Sequence, residues 1–311
     1  HGQRKSRRGS RIAALVATFA VVAATLVAFE PAAQAQAASP CGPTINAIVC
    51  ENQQPGTDPA VWDISGAGDP TIQGFATDIS VNAGSHIDFK IDTNASNYKI
   101  DIYRTGWYQG LGARLVGSVT PSAALPQVQP ECISDLTTEL YDCGTWAVSA
   151  GWDVPASAVS GVYVARLQRT DTGGASHITF IVRKDGNTSD VLFQTSDPTW
   201  HAYNTYGGSD FYQGAANGRA YKISYNRPFA TRNGIEARDF YFASEYATVR
   251  FMERNGYDVS YLAGLDTDRR GGELLNHKVF LSVGHDEYWS GAPRADLAAA
   301  RDAGARMQFL T

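Results

Sequence analysis

The sequence predicts an all-β domain followed by an α/β domain: a β-sandwich, then a doubly wound, mostly parallel sheet. Three observations carry that prediction. Apolar residues alternate with period two up to about position 183, a polar, turn-forming stretch follows at 184–189, and strands then alternate with helices to the end of the chain.

Ahead of both domains, residues 1–37 read as a secretory signal peptide. A basic segment (Arg4, Lys5, Arg7, Arg8, Arg11) precedes an apolar run from Ile12 to Phe29, and Ala33-Gln34-Ala35 and Ala35-Gln36-Ala37 supply small-residue cleavage sites. An uncleaved anchor is the rival reading, since 18 apolar residues just span a bilayer. The cleavage pattern favours a secreted or extracellular protein with no membrane segment left after processing.

Charge narrows the partners. The chain has 26 basic and 31 acidic residues, and without the first 37 it keeps 21 and 30, a net charge of -9. Such a surface repels phosphate backbones, so no nucleic-acid partner is expected. With 43% hydrophobic and 18% charged residues, the chain also has the profile of a folded globular protein. Its four cysteines fall in two local pairs, which in an exported chain suggests disulfides Cys41-Cys50 and Cys132-Cys143, although four cysteines allow three connectivities. The chain starts at His1 and stops on the apolar run Met307-Gln308-Phe309-Leu310, so it is expected to be a fragment of a longer protein.

Residues 87–91, 98–102 and 178–182 alternate as half-buried strands, separated by turn-rich segments such as Asp171-Thr172-Gly173-Gly174, which predicts an antiparallel sandwich. Beyond the boundary, strands are expected at 191–195, 257–262 and 278–283. Helices are expected at 242–255, stopped by Gly256, and at 293–303, with Pro293 near the start and Gly304 just past the end. The last apolar run reads as one more strand.

In an open parallel sheet, ligands bind beyond the carboxyl ends of the strands. Two such segments stand out. After Thr195 begins a long connection rich in Tyr, Asn and Gly, from Trp200-His201-Ala202-Tyr203-Asn204 through Tyr206, Tyr212, Tyr221, Tyr225 and Arg227, and so long a connection in a compact domain is more often functional than idle. After Val283 comes Gly284-His285-Asp286-Glu287-Tyr288-Trp289, three ionisable residues directly off an apolar strand. A capped turn is the bland reading of that segment. Its carboxylates and imidazole are expected to share a rim with Tyr203 and Tyr206, a set of hard oxygen donors suited to a Lewis-acidic ion that activates water.

Other motifs weigh less. Gly110-Leu111-Gly112 lacks the strand-to-helix setting of a dinucleotide loop, and the chain contains no G-x-S-x-G, H-E-x-x-H or P-loop pattern. Asp266-Thr267-Asp268 reads as a polar loop before a cation site, His86 and His177 as structural, and the Tyr103 to Tyr108 aromatics as core before a glycan-stacking patch.

The segments Ile79-Ser80-Val81-Asn82, Asp101-Ile102-Tyr103-Arg104, Ser189 to Asp197, Tyr221 to Pro228 and above all Val283-Gly284-His285-Asp286-Glu287-Tyr288-Trp289 resemble the N,N-dimethylformamidase large (beta) subunit-like family, in order and from about Asn46 onward. The resemblance implies an immunoglobulin-like β-sandwich (38–185) followed by a class I glutamine amidotransferase-like doubly wound α/β domain (190–311), its C-terminal part missing. It also implies a mononuclear ferric iron held by two tyrosine phenolates and one glutamate, with a histidine two residues before that glutamate. Carried over, Glu287 is a metal ligand and His285 its neighbouring acid or base. Tyr203 and Tyr246 are the expected tyrosine ligands, with Tyr206 as the substitute for either.

The function so implied is an exported, metal-dependent, amidase-like hydrolase of a C-N bond in a small or surface-linked amide. Metal-bound water would replace the thiol that the second domain lacks. The alternative is a non-catalytic secreted or cell-surface carbohydrate-binding protein that keeps the fold and contacts a surface glycan. The sequence names neither a small subunit nor an oligomeric state.

Overall fold

The computed structural model describes residues 41–42, 45–230 and 238–310. The expected signal peptide lies outside the described residues, and those from position 41 on belong to one compact unit. Among them no helix is long and apolar enough to cross a membrane.

After two short helices, α1 (Ala47–Glu51) and α2 (Pro59–Trp62), the alternating segments form a two-sheet sandwich. One sheet has three strands in the order β1 (Ile72–Ala76), β3 (His86–Thr93), β8 (Ala150–Asp153). The other has five, in the order β2 (Ser80–Asn82), β10 (Ala175–Arg183), β9 (Gly161–Arg169), β4 (Tyr98–Thr105), β5 (Ala113–Val119). All these pairings are antiparallel except β10 with β2. Period two sends Ile87, Phe89 and Ile91 inward from one sheet to meet Ile100, Ile102, Tyr163, Leu167, Ile178 and Phe180 from the other.

A hairpin of β6 (Ile133–Asp135) and β7 (Leu140–Asp142) leaves this sandwich, and the Cys132-Cys143 disulfide closes its base. A second disulfide joins Cys41 to Cys50 beside α1.

Strands β4, β9 and β10 differ from the half-buried expectation, because nearly every residue of each is buried. Their outer face is covered by the α/β part: Val162 and Ile181 share a second apolar cluster with Phe193, Tyr241, Val249 and Tyr261. At this seam the fully buried Arg104 of β4 makes a two-pronged ion pair with Glu253, at 2.7 Å and 2.9 Å.

The second part is a four-stranded parallel sheet in the order β12 (Val259–Leu262), β11 (Val191–Gln194), β13 (Val279–Val283), β14 (Arg306–Leu310). Alternate residues of β11 and β13 face opposite layers. Phe193, Leu281 and Val283 pack toward the seam, whereas Leu192 and Phe280 pack against Leu297 and Ala300 of α7 (Gly291–Asp302). The chain leaves β11 for β12 on one side and later continues outward through β13 on the other, which makes the carboxyl ends of β11 and β13 the switch point.

One expected helix is two. The 242–255 segment divides into α4 (Tyr241–Ser244) and α5 (Tyr246–Arg254), broken at Glu245, whose backbone sits at φ -122 and ψ -34. Glu245 is fully buried, and its carboxylate accepts bonds from the Ser196 amide and hydroxyl and from Trp200 Nε1 at 2.7 Å. Satisfying those donors inward outweighs the one helical turn lost.

Candidate active site

The candidate residues meet at the switch point. Strand β13 ends in Gly284 at φ +82, a left-handed backbone that turns the chain sharply upward. The next three residues are pinned from below. Asp286 accepts from Ser282 Oγ at 2.6 Å and Gln194 Nε2 at 2.8 Å, tying the loop to β13 and β11. Burial pushes its carboxyl up to about 6 against those two bonds. The Glu287 amide donates to Thr199 Oγ1 at 2.9 Å on α3 (Asp197–Ala202). Held this way, His285 and Glu287 project to the surface, their side chains 45% and 36% exposed.

One carboxylate oxygen, Glu287 Oε2, is the centre of the cluster. It accepts from the Tyr203 hydroxyl at 3.0 Å and the Tyr212 hydroxyl at 2.7 Å, and His285 Nε2 stands 3.4 Å away. The two phenol rings stack 4.2 Å apart, and Tyr288 adds its hydroxyl at 2.5 Å from that of Tyr212. Tyr203 comes from the end of α3, while Tyr212 comes from the long connection, where Phe211 is tied back to the Ala202 carbonyl at 3.0 Å. Loss of solvation, and after it the bonds to neighbouring phenols and Glu287, holds the Tyr212 phenol far above its ordinary value. Loss of solvation likewise raises Tyr203. A cation among these oxygens would reverse that preference for the neutral phenol.

Behind the histidine, Asp239 Oδ1 accepts from His285 Nδ1 at 2.8 Å, and the Asp239 side chain is only 4% exposed. Such a carboxylate fixes the Nδ1-H tautomer, so Nε2 faces the cluster as a lone-pair acceptor.

Of the residues expected from sequence, His285, Glu287 and Tyr203 are brought together. Tyr246 is engaged elsewhere: its hydroxyl donates to the Gly112 carbonyl at 2.8 Å, and its ring packs on Trp62, Tyr241 and Phe242 at the seam. Tyr206 sits against Tyr141 near the Cys132-Cys143 bridge, where burial pushes its phenol up to about 12. Sequence reasoning missed Tyr212 and Asp239 as partners of this cluster. The unusual length and tyrosine content of the 203–240 connection marked Tyr212 only as one aromatic among several, and no local pattern marked Asp239.

The weaker candidates have structural roles. His86 bonds Asp153 and Asp88 at 2.6 Å and 3.0 Å, and His177 Nε2 lies 2.8 Å from the Trp62 carbonyl. Asp266 takes bonds from Ser80, Arg270 and the Ala263 amide. Tyr103 and Tyr108 are buried, and Trp107 has the guanidinium groups of Arg250 and Arg254 within 5.4 Å and 4.9 Å of its ring.

Among the described residues no group of three or more His, Cys, Asp or Glu side chains is arranged to hold a metal ion. A metal at this rim therefore depends on the phenols. The donor set fits one: two phenol oxygens lie within 3.0 Å of one carboxylate oxygen, and all three are hard donors of the kind ferric iron accepts.

No curated protein matches the chain. Solved structures with some likeness include the cellulose-active lytic polysaccharide monooxygenase CelS2 in complex with copper, 16% identical over 35% of this chain and 53% of that one, with a TM-score of 0.22. Domain 1 of VCBP3 from Branchiostoma floridae is 10% identical over 38% of this chain and 98% of that one, with a TM-score of 0.23. Likenesses this slight carry no argument about fold or chemistry, and the alignment with CelS2 spans only about half of that protein's length. The family described as N,N-dimethylformamidase beta subunit-like, C-terminal, matches residues 99–311, more than half of the sequence, and the chain belongs to that family.

Proposed function

We propose that this chain is an exported amidase-like hydrolase that cleaves the C-N bond of a small or surface-linked amide at the Glu287 cluster. The single observation that carries the reading is the meeting of Tyr203, Tyr212 and Glu287 on one carboxylate oxygen beside a carboxylate-oriented histidine. Family membership supports the amidase chemistry. The parallel sheet that reverses its order at β11 supports a glutamine amidotransferase-like reading of the second part, and the two-sheet first part an immunoglobulin-like one.

Glu287, Tyr203 and Tyr212 would hold a single iron, with Tyr212 in the role the sequence suggested for Tyr246. Bound there, the ion would supply Lewis acidity toward a carbonyl and acidify a water molecule. The chain's own groups do the rest. His285 Nε2, turned toward the cluster by the Nδ1-H bond to Asp239, takes a proton from the attacking water as its oxygen bonds to the carbonyl carbon. It then returns that proton to the nitrogen as the C-N bond breaks, releasing an amine and a carboxylic acid. The stacked Tyr203 and Tyr212 rings wall one side of the site, which orients a planar amide against His285.

Metal content and amide hydrolysis, measured on the purified chain and on Glu287→Ala, Tyr203→Phe and Tyr212→Phe, test the reading. Near-stoichiometric iron that falls in all three variants, with hydrolysis falling in parallel, is the expected result. A folded, metal-free chain that binds glycans and hydrolyses no amide would replace it with the carbohydrate-binding reading.

A further inference from the structure

A second site lies away from the Glu287 cluster, at the seam between the sandwich and the α/β part. A cavity of about 220 Å³ opens there between β1 and β10 on one side and α3, the 225–229 segment and α6 (Gly264–Arg270) on the other. At roughly 30 Å³ per water molecule it has room for several waters, or for an organic molecule of a few carbons.

Two of its wall residues are out of keeping with a merely filled core. His201 is 1% exposed, its ring packed 4.0 Å from Tyr225 and 4.5 Å from Phe229 between centroids, and its buried Nδ1 has no hydrogen-bond partner among the described residues. Leaving a buried polar atom unpaired is costly, so such groups are ordinarily satisfied by something. Beside it, Arg227 is equally buried. Its guanidinium donates only to backbone carbonyls, those of Ser224, Tyr206, Ser209 and His201, with no carboxylate paired to it among the described residues.

Of the neighbouring charges, the buried Asp210 acts on Arg227 without bonding it, its carboxylate being taken by the Tyr212 and Gln213 amides and the Gln213 side chain. Arg269 and Asp78 pair with each other at 2.9 Å and cancel. The Asp197 carboxyl, reached through Tyr225, already takes bonds from Thr195, Tyr225 and the amides of Gly264 and Leu265. The wall thus presents one buried positive charge and an unused imidazole nitrogen.

We propose that this cavity binds a small organic carboxylate, which takes a hydrogen bond from the His201 ring and balances the charge of Arg227. A cation would be repelled, and a neutral molecule would leave the guanidinium without a counter-charge beside it. A neutral imidazole offers one N-H donor and one acceptor, and a carboxylate oxygen can take up the donor.

The test is isothermal titration calorimetry with acetate, butyrate and succinate against ethanol, butanol and 1,4-butanediol. It is run on the Glu287→Gln chain so that the rim cluster does not report. Saturable binding of at least one carboxylate is expected, with none of its matched alcohol. Affinity should fall at least tenfold in His201→Phe, which keeps the ring packing but removes both nitrogens, and in Ala76→Leu, which narrows the cavity without removing a polar group. Circular dichroism checks that each variant folds. No saturable carboxylate binding, equal binding of the alcohols, or unchanged affinity in either folded variant would overturn the proposal.

Discussion

Asp239 accepts a hydrogen bond from His285 Nδ1 at 2.8 Å, and that bond decides which face of the imidazole is available for chemistry. An asparagine can present either its carbonyl or its amide to the ring and no longer enforces one tautomer. Asp239→Asn should therefore lower kcat about 10–100-fold while KM changes less than twofold. Nitrogen NMR of His285 should show the Nε2-H tautomer gaining population. An unchanged tautomer with unchanged kcat would leave Asp239 a structural residue only.

Gly284 prepares the same site from the backbone. At φ +82 a side chain is strained, and a Cβ there would lie 3.0 Å from both Glu245 Cγ and Ser244 Oγ. Gly284→Ala should cost about 1–3 kcal/mol in denaturant unfolding. Because His285 and Glu287 follow immediately, it should also lower the iron content that the proposed site would give. Full iron content at wild-type stability would show that the turn tolerates an ordinary residue.

The seam depends on Arg104 and Glu253, both buried and bonded to each other twice. Asn52 and the Tyr261 hydroxyl donate to the same carboxylate. Glu253→Gln strands the guanidinium's charge and should destabilise the fold by about 3–5 kcal/mol. Replacing both partners, as in Arg104→Met with Glu253→Met, should cost less than the single change. A double variant as unstable as the single would place the cost in packing.

Much of this architecture is legible in the residues. The runs at 191–195 and 278–283 became β11 and β13 almost to the residue, because a strand covered on both faces needs an unbroken apolar sequence. The same logic, read backwards, explains the miss in the sandwich. Strand β9 carries Arg166 at a position that alternation assigns to solvent, yet it is buried, and Arg104, a charge in the inward register of Ile100 and Ile102, is covered at the seam where it pairs with Glu253. The site divides along similar lines. His285 and Glu287 follow directly from a strand end, so local order was enough to find them. Tyr212 and Asp239 reach the cluster through a connection without periodicity, placed by contacts such as Phe211 to Ala202 that no spacing rule records.

Glu245 gives the fold a dependence on pH whose sign can be worked out. Burial, against its bonds to Ser196 and Trp200, pushes its carboxyl up to about 8, and burial likewise pushes Asp197 up to about 7. Both groups hold their proton more tightly folded than unfolded, so each contributes stability that is complete below the ordinary carboxylate range near 4. That stability is lost as pH rises through the folded values. The chain should lose stability between about pH 4 and 8, each carboxyl contributing a slope of at most about 1.4 kcal/mol per pH unit. Glu245→Gln is the neutral mimic. Its carbonyl can keep the Ser196 and Trp200 donors, and its amide falls where Oε2 has no partner. Urea midpoints at pH 5, 6, 7 and 8 should decline less steeply in the variant, with the two curves converging at the acid end. Parallel curves would mean that Glu245 is already ionised in the folded chain, its charge carried by the Ser196 and Trp200 donors alone.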